Sequence, residues 1–253
     1  MVELKTPTEI EAMREAGRIV ARALAAVRGH AEPGVLLGDL DDLAKQVVTD
    51  AGAEPLFLGH LPTWAPTPFP GAICASVNDA VLHGIPTGRL GDGDLVSIDC
   101  GARLEGWCGD AAITFTVGQA DPADTALIAA TDRALSAGID AARPGATLGD
   151  VAAAIGAVAR DAGYGSVDDH GGHGIGRDMH EPPYVPNEGR PGRGMRLRPG
   201  LVIALEPIFT RGGGAYRNDP DGWTVRTLDG SRGAHIEHTV AVTEGGPKVL
   251  TAP

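Results

Sequence analysis

Asp99, Asp110, His173, Glu206 and Glu237 stand where their surroundings give no reason for a charge or an imidazole. The apolar run Val96-Ser97-Ile98 ends in Asp99, and Val202-Ile203-Ala204-Leu205 ends in Glu206. Glu237 leads into another apolar run, Thr239-Val240-Ala241-Val242, and His173 lies in Gly171-Gly172-His173-Gly174-Ile175-Gly176. Carboxylates are almost never fully buried unless they are paired or bound to metal. Several acids on apolar strands therefore call for a cation; otherwise their pKa values must rise or the like charges must repel.

Asp99 and Asp110 are equally distant from a turn centred on Leu104-Glu105. A simple hairpin would set them opposite each other, with Cβ atoms roughly 4.5–5.5 Å apart. Taken alone, either acid reads as a surface residue near a turn. The glycines around His173 let backbone and ligand approach closely, although a single histidine among glycines is more often only a loop residue. Pro207 keeps Glu206 extended. Four carboxylates and one imidazole form a hard, oxygen-rich donor set, suited to two divalent ions of Co, Mn, Fe or Zn and unlike a thiolate zinc site. Such a pair activates water and stabilises an oxyanion, which hydrolyses amides or phosphate esters. Glu206 could take the proton of that water. His83, in Val81-Leu82-His83-Gly84, and His180, in Met179-His180-Glu181, have no zincin spacing and in isolation read as loop histidines.

The elements that must position these groups are legible in part. Thr6-Pro7-Thr8-Glu9 is a capping box with proline at the first helical position. Ile10, Met13, Gly17, Val20 and Leu24 follow at helical spacing. A second helix is expected from near Asp39, with Leu40, Leu43, Ala44 and Val47 inward, and it stops at Gly52. The same text then returns. Arg22-Ala23-Leu24, Pro33-Gly34, Leu37-Gly38-Asp39-Leu40 and Asp50-Ala51-Gly52 recur as Arg133-Ala134-Leu135, Pro144-Gly145, Leu148-Gly149-Asp150-Val151 and Asp161-Ala162-Gly163. Matches at one offset indicate an internal duplication. At a slightly shorter offset the strand ending in Asp99 aligns with the one ending in Glu206, acid on acid. The expectation is one α+β domain over 1–253, with pseudo-symmetric halves of roughly 10–120 and 121–253, merged sheets and a site between the halves.

Lys+Arg is 21 against Asp+Glu 33, a formal charge of −12, which argues against a nucleic-acid surface. Three cysteines, Cys74, Cys100 and Cys108, make no disulfide framework and fit a reducing cytosol. The N-terminus lacks an apolar signal region, and no apolar run is long enough to span a bilayer. The expectation is a soluble, cytoplasmic protein.

The order Asp99, Asp110, His173, Glu206, Glu237 resembles the metal set of the pita-bread aminopeptidases. The surrounding words are similar to type I methionine aminopeptidases: Cys74-Ala75-Ser76-Val77-Asn78, His83-Gly84-Ile85-Pro86, Gly172-His173-Gly174-Ile175-Gly176-Arg177 with His180-Glu181, Asp221-Gly222-Trp223-Thr224-Val225 and Glu237-His238-Thr239. The resemblance covers essentially the whole chain. It implies a pita-bread fold, with a curved antiparallel central sheet covered by helices, and removal of the initiator methionine when the second residue is small. The five residues become metal ligands. His180 donates to the carbonyl oxygen as it becomes an oxyanion, His83 contacts the peptide amide, and Glu206 shuttles the proton. The methionine side chain enters a pocket near Phe69, Cys74, Met179 and Trp223. The implied partners are the N-termini of nascent chains near the ribosome, met by a monomer without nucleic-acid or membrane binding.

The sequence departs from the family at four places. Met179 stands for an aromatic, His235 for a glutamine, the proline-rich segment before Cys74 lacks tyrosines, and the stretch from Arg190 to Arg198 is enlarged. These leave room for an altered N-terminal preference. An Xaa-Pro peptidase on the same fold and a metal-free binding module are the competing readings. The first usually carries an extra N-terminal domain, and the second typically loses ligands.

Overall fold

The computed structural model describes residues 2–252. Helix α1 (Pro7–His30) starts where the capping box places it. The Thr6 side chain accepts from the Glu9 backbone, and the Glu9 carboxylate accepts from the Thr6 backbone at 2.7 Å. Helix α2 (Leu37–Asp50) begins two residues earlier than the pattern suggests, and its Leu37 is buried. The second pair, α3 (Pro122–Ala141) and α4 (Leu148–Ala162), repeats the first, with Asp121 and Thr147 as N-caps.

The strands follow in chain order. β1 (Glu54–Pro55), β2 (Ile73–Val77) and β3 (Ala80–Leu82) precede the long hairpin of β4 (Leu95–Leu104) and β5 (Trp107–Thr116). After the second helix pair come β6 (Gly165–Ser166), β7 (Gly171–Gly174), β8 (Glu181–Pro186), β9 (Val202–Leu205) and β10 (Ile208–Thr210). The last are β11 (Tyr216–Asn218), β12 (Val225–Thr227), β13 (Gly233–His235), β14 (Glu237–Thr243) and β15 (Gly246–Val249). The main sheet is antiparallel with order β1-β4-β5-β14-β9-β7-β8, and β2 and β15 pair with β4 and β14. The halves are joined at β5 against β14.

Each helix pair covers its own half of the sheet. Val20, Leu24, Leu40 and Val48 pack with Val96, Ile98 and Phe115. Leu127, Leu135, Val151 and Ile155 pack with Ile203, Leu205 and Val240. Between these cores Met13, Trp107, Ile175, Val202 and Leu250 form a seam. Helix α1 presses against β5 where Gly17 meets Gly109. A Cβ added to Gly109 would lie 2.8 Å from the Gly17 nitrogen, so close backbone contact here requires glycine. Among the described residues no helix is long and apolar enough to cross a membrane.

Candidate active site

The sheet order gives each candidate ligand its own place on five neighbouring strands. Asp99 lies on β4, Asp110 on β5, Glu237 opens β14, Glu206 follows β9 and His173 lies on β7. Asp99 pairs with Ala112, and Ala112 pairs on its other side with Glu237, so the two acids flank one rung. The hairpin itself corrects the expected register. The turn is centred on Glu105-Gly106, both at positive φ (49° and 79°), as a two-residue primed turn requires. Asp110 therefore faces Gly101, not Asp99. The shift is two residues, so both carboxylates still point from the same face as diagonal neighbours.

The backbone around each ligand is fixed. The Thr239 hydroxyl accepts from Asp110 N at 3.0 Å and donates to Asp110 O at 2.8 Å. Asn187 donates to the Glu206 carbonyl at 2.9 Å. A Cβ on Gly172 or Gly174 would strike the carbonyl of Ala204 or Pro182, so glycine lets β7 lie close to its neighbours and carry His173 inward. His173 Nδ1 lies 2.9 Å from the Gly174 carbonyl, which assigns its proton to Nδ1 and leaves the Nε2 lone pair facing Glu206 Oε1 at 3.6 Å.

Asp110, Glu206 and Glu237 are buried, and Asp99 and His173 are half-buried. Ligand atoms of Asp110, His173 and Glu237 all lie within 4.8 Å of one another. Asp99 Oδ1, Asp110 Oδ1 and Glu237 Oε1 are buried without a hydrogen-bond partner. Burial pushes the Asp99 carboxyl up to about 7. It raises Asp110, Glu206 and Glu237 well above the usual carboxylate range, with repulsion from the other acids adding to the effect. Orphaned oxygens and mutual repulsion are both relieved by cations, so the donor set fits divalent metal.

These residues form the base of a cavity of about 410 Å³ that also exposes Phe69, Cys74, His83, Met179, His180 and Trp223. Every candidate site residue thus meets at one place. Cys74 is paired with Asp99 across β2 and β4. Phe57, Phe69, Cys74, Met179 and Trp223 make one buried apolar cluster. Phe69 and Trp223 pack edge to face at 5.0 Å, and the Trp223 indole N–H donates to Thr67 O at 3.0 Å, tying the proline-rich loop down. His83 sits at φ 53° after β3, beside Gly84, whose carbonyl accepts from Ala75 N at 2.8 Å. The His180 ring lies 4.4 Å from that of His173. Burial lowers His83 to about 3. Partial desolvation, together with the neighbouring His173 and His60, lowers His180 to about 3 as well, although that residue remains exposed to solvent. Both imidazoles are therefore neutral at pH 7 and can still donate one N–H.

Sequence reasoning did not find the whole lining. His60, Trp64, Asp169, His170 and Tyr184 also border the cavity. Trp64 reaches it from the proline-rich segment and stacks beside His83 at 6.1 Å; an aromatic between four prolines was the available signal. His235, noted only as a departure, is buried with Nε2 unpartnered, 3.8 Å from Glu206 and 3.7 Å from Glu237.

A sheet of this topology flanked by two helix pairs, with buried acids and one histidine around a cavity, defines a pita-bread metallohydrolase. Residues 11–244 match the model of metallopeptidase family M24, and the chain belongs to that family. It is 50% identical to methionine aminopeptidase 1 of Mycobacterium tuberculosis, over 99% of this chain and 95% of that one. The methionine aminopeptidase structure from Thermotoga maritima superposes with a TM-score of 0.95 at 40% identity, each chain covered completely. A prolidase from Pyrococcus furiosus superposes at 0.79 with 25% identity, covering 99% of this chain but 65% of the prolidase. Family membership implies use of divalent metal.

Proposed function

We propose that the chain is a metal-dependent aminopeptidase that removes N-terminal methionine from proteins whose second residue is small. The observation that carries this reading is that Asp99, Asp110, His173, Glu206 and Glu237, buried or half-buried, line one cavity together with the apolar cluster of Phe57, Phe69, Cys74, Met179 and Trp223. Those five residues would hold two divalent ions of the Mn, Fe, Co or Zn class. When bound, the ions supply Lewis acidity for the carbonyl and a lowered pKa for water.

The chain's own groups do the rest. Phe69, Cys74, Met179 and Trp223 accept the methionine side chain, whose polarizable sulfur suits aromatic and thiol walls. His83 contacts the peptide amide and aligns the first residue. The Glu206 carboxylate takes a proton from the attacking water. As oxygen adds to the carbonyl carbon, His180 donates its N–H to the developing oxyanion. The C–N bond then breaks, the proton held by Glu206 passes to the leaving nitrogen, and methionine and a shortened chain depart. The reading extends to a cytoplasmic monomer that works on nascent chains near the ribosome.

A peptide panel tests it. Met-Ala-Ser should be cleaved and Ala-Pro left intact, with activity returning to chelated protein on adding Mn, Fe, Co or Zn. Faster turnover of Ala-Pro would instead make the chain an Xaa-Pro peptidase.

A further inference from the structure

The aromatic neighbours of the His180 ring are His173 and His60, and among the described residues no side-chain hydrogen bond holds it. Its location is therefore set by the backbone of the bend between β7 and β8, residues 175–180. One carboxylate organises that bend. Glu181 Oε1 accepts from Arg177 N at 2.8 Å and from Asp178 N at 3.2 Å, closing the turn that carries Met179 and His180.

The other Glu181 oxygen, Oε2, accepts from Lys5 Nζ at 2.6 Å. The Lys5 side chain is 2% exposed, and its next carboxylate, Glu3, is 4.0 Å away and largely exposed. Lys5 N also donates to Gly200 O at 2.7 Å, which anchors the N-terminal segment to the sheet. Gly176 makes room for the ion pair: a Cβ there would lie 2.5 Å from both Glu181 Oε1 and Lys5 Nζ. On the outer side, Arg177 stacks over Trp107 at 3.7 Å and donates to Glu105 O and Gly106 O, both at 3.3 Å.

Desolvation of two buried charges largely offsets their attraction, so such a pair adds little net stability. What Lys5 does add is a fixed point for the carboxylate that shapes the bend. We propose that Lys5 and Glu181 are positioning residues: the ion pair between the N-terminal segment and the start of β8 sets where His180 presents its N–H. This rests on the oxyanion role given to His180 above.

The test is a double-mutant cycle with Met-Ala-Ser on metal-saturated protein, with metal content measured for each variant. Lys5→Met should lower kcat about 10- to 100-fold, because small misplacement of a reacting group has that effect. KM and metal stoichiometry should stay near wild type, and Lys5→Arg should restore most of kcat. In a His180→Ala background Lys5→Met should change kcat no further. An equal drop in both backgrounds, or wild-type kcat for Lys5→Met, overturns the proposal while leaving the role of His180 intact. If His180→Ala itself keeps wild-type kcat, the oxyanion reading fails first. Should Lys5→Met not fold, Glu181→Gln enters the same cycle, because it keeps a carbonyl acceptor for the two backbone N–H groups and removes the charge.

Discussion

Asp110 and His83 illustrate how differently the base and the mouth of the cavity are built. On the base, Asp110 is held in a ten-residue strand, with its backbone bonded on both sides to one hydroxyl of the neighbouring strand. At the mouth, His83 occupies a positive-φ turn and is steadied by ring contacts with Trp64, His170 and Trp223, at 6.1, 6.4 and 6.5 Å. The base is positioned by strand register and the mouth by turns and aromatic packing. Register fixes a face rigidly, whereas loops accept substitution. All five candidate ligands are on the base, and Met179 is on the bend that carries His180.

The sharpest way to break this contrast is to remove a base carboxylate. Asp110→Ala or Glu237→Ala should abolish peptide cleavage and lower metal content; full stoichiometry in either would take that residue out of the centre. The mouth should respond in rate with the centre intact. His180→Ala should lower kcat by about 10²–10³-fold, as the loss of an oxyanion donor does, and a change confined to KM would reassign it to substrate binding. Thr239→Val should leave Asp110 in place chemically but loosen its backbone. The expected cost is roughly 1–3 kcal/mol in unfolding experiments, with metal affinity weakened about 10- to 100-fold. Unchanged affinity would mean that register alone holds the carboxylate.

The acids on the base also set a pH dependence. Their folded pKa values lie above those of the unfolded chain, so metal-free protein binds more protons folded than unfolded, and stability is lost as pH rises through those values. His83, His180 and His235, held near 3, act in the opposite direction, but their contribution is complete above the ordinary histidine value of 6.5. From pH 6.5 to 8, then, chelated protein should lose thermal stability steadily, and metal-loaded protein should not. Parallel curves would show that cations do not relieve the cluster. At the small end, Arg14→Ala breaks an exposed pair with Glu11 and should shift stability by less than about 1 kcal/mol.

The same contrast governs what could be read from the sequence. The capping box and the two helix pairs are local or periodic signals, and both appear in the fold. Of the acids expected to end apolar strands, Glu206 follows β9, whereas Asp99 lies in the middle of β4, which runs on to Leu104. The hairpin register slipped by two because the positive-φ pair Glu105-Gly106, not Leu104-Glu105, makes the turn; glycine after Glu105 was the signal that decides it. Even so, the shared face survived, since a shift of two preserves side-chain parity. The mouth was legible chiefly through family resemblance. Nothing in the spacing of His60, Trp64, His170 or Tyr184 announces that separate loops bring them together, because such contacts arise from tertiary packing and not from chain periodicity.

Anomalous diffraction from crystals of the cobalt-loaded protein tests the central claim most directly. The account predicts two neighbouring peaks enclosed by Asp99, Asp110, His173, Glu206 and Glu237. Peaks elsewhere, or strong cleavage of Met-Ala-Ser by protein with no ion between those side chains, would contradict it.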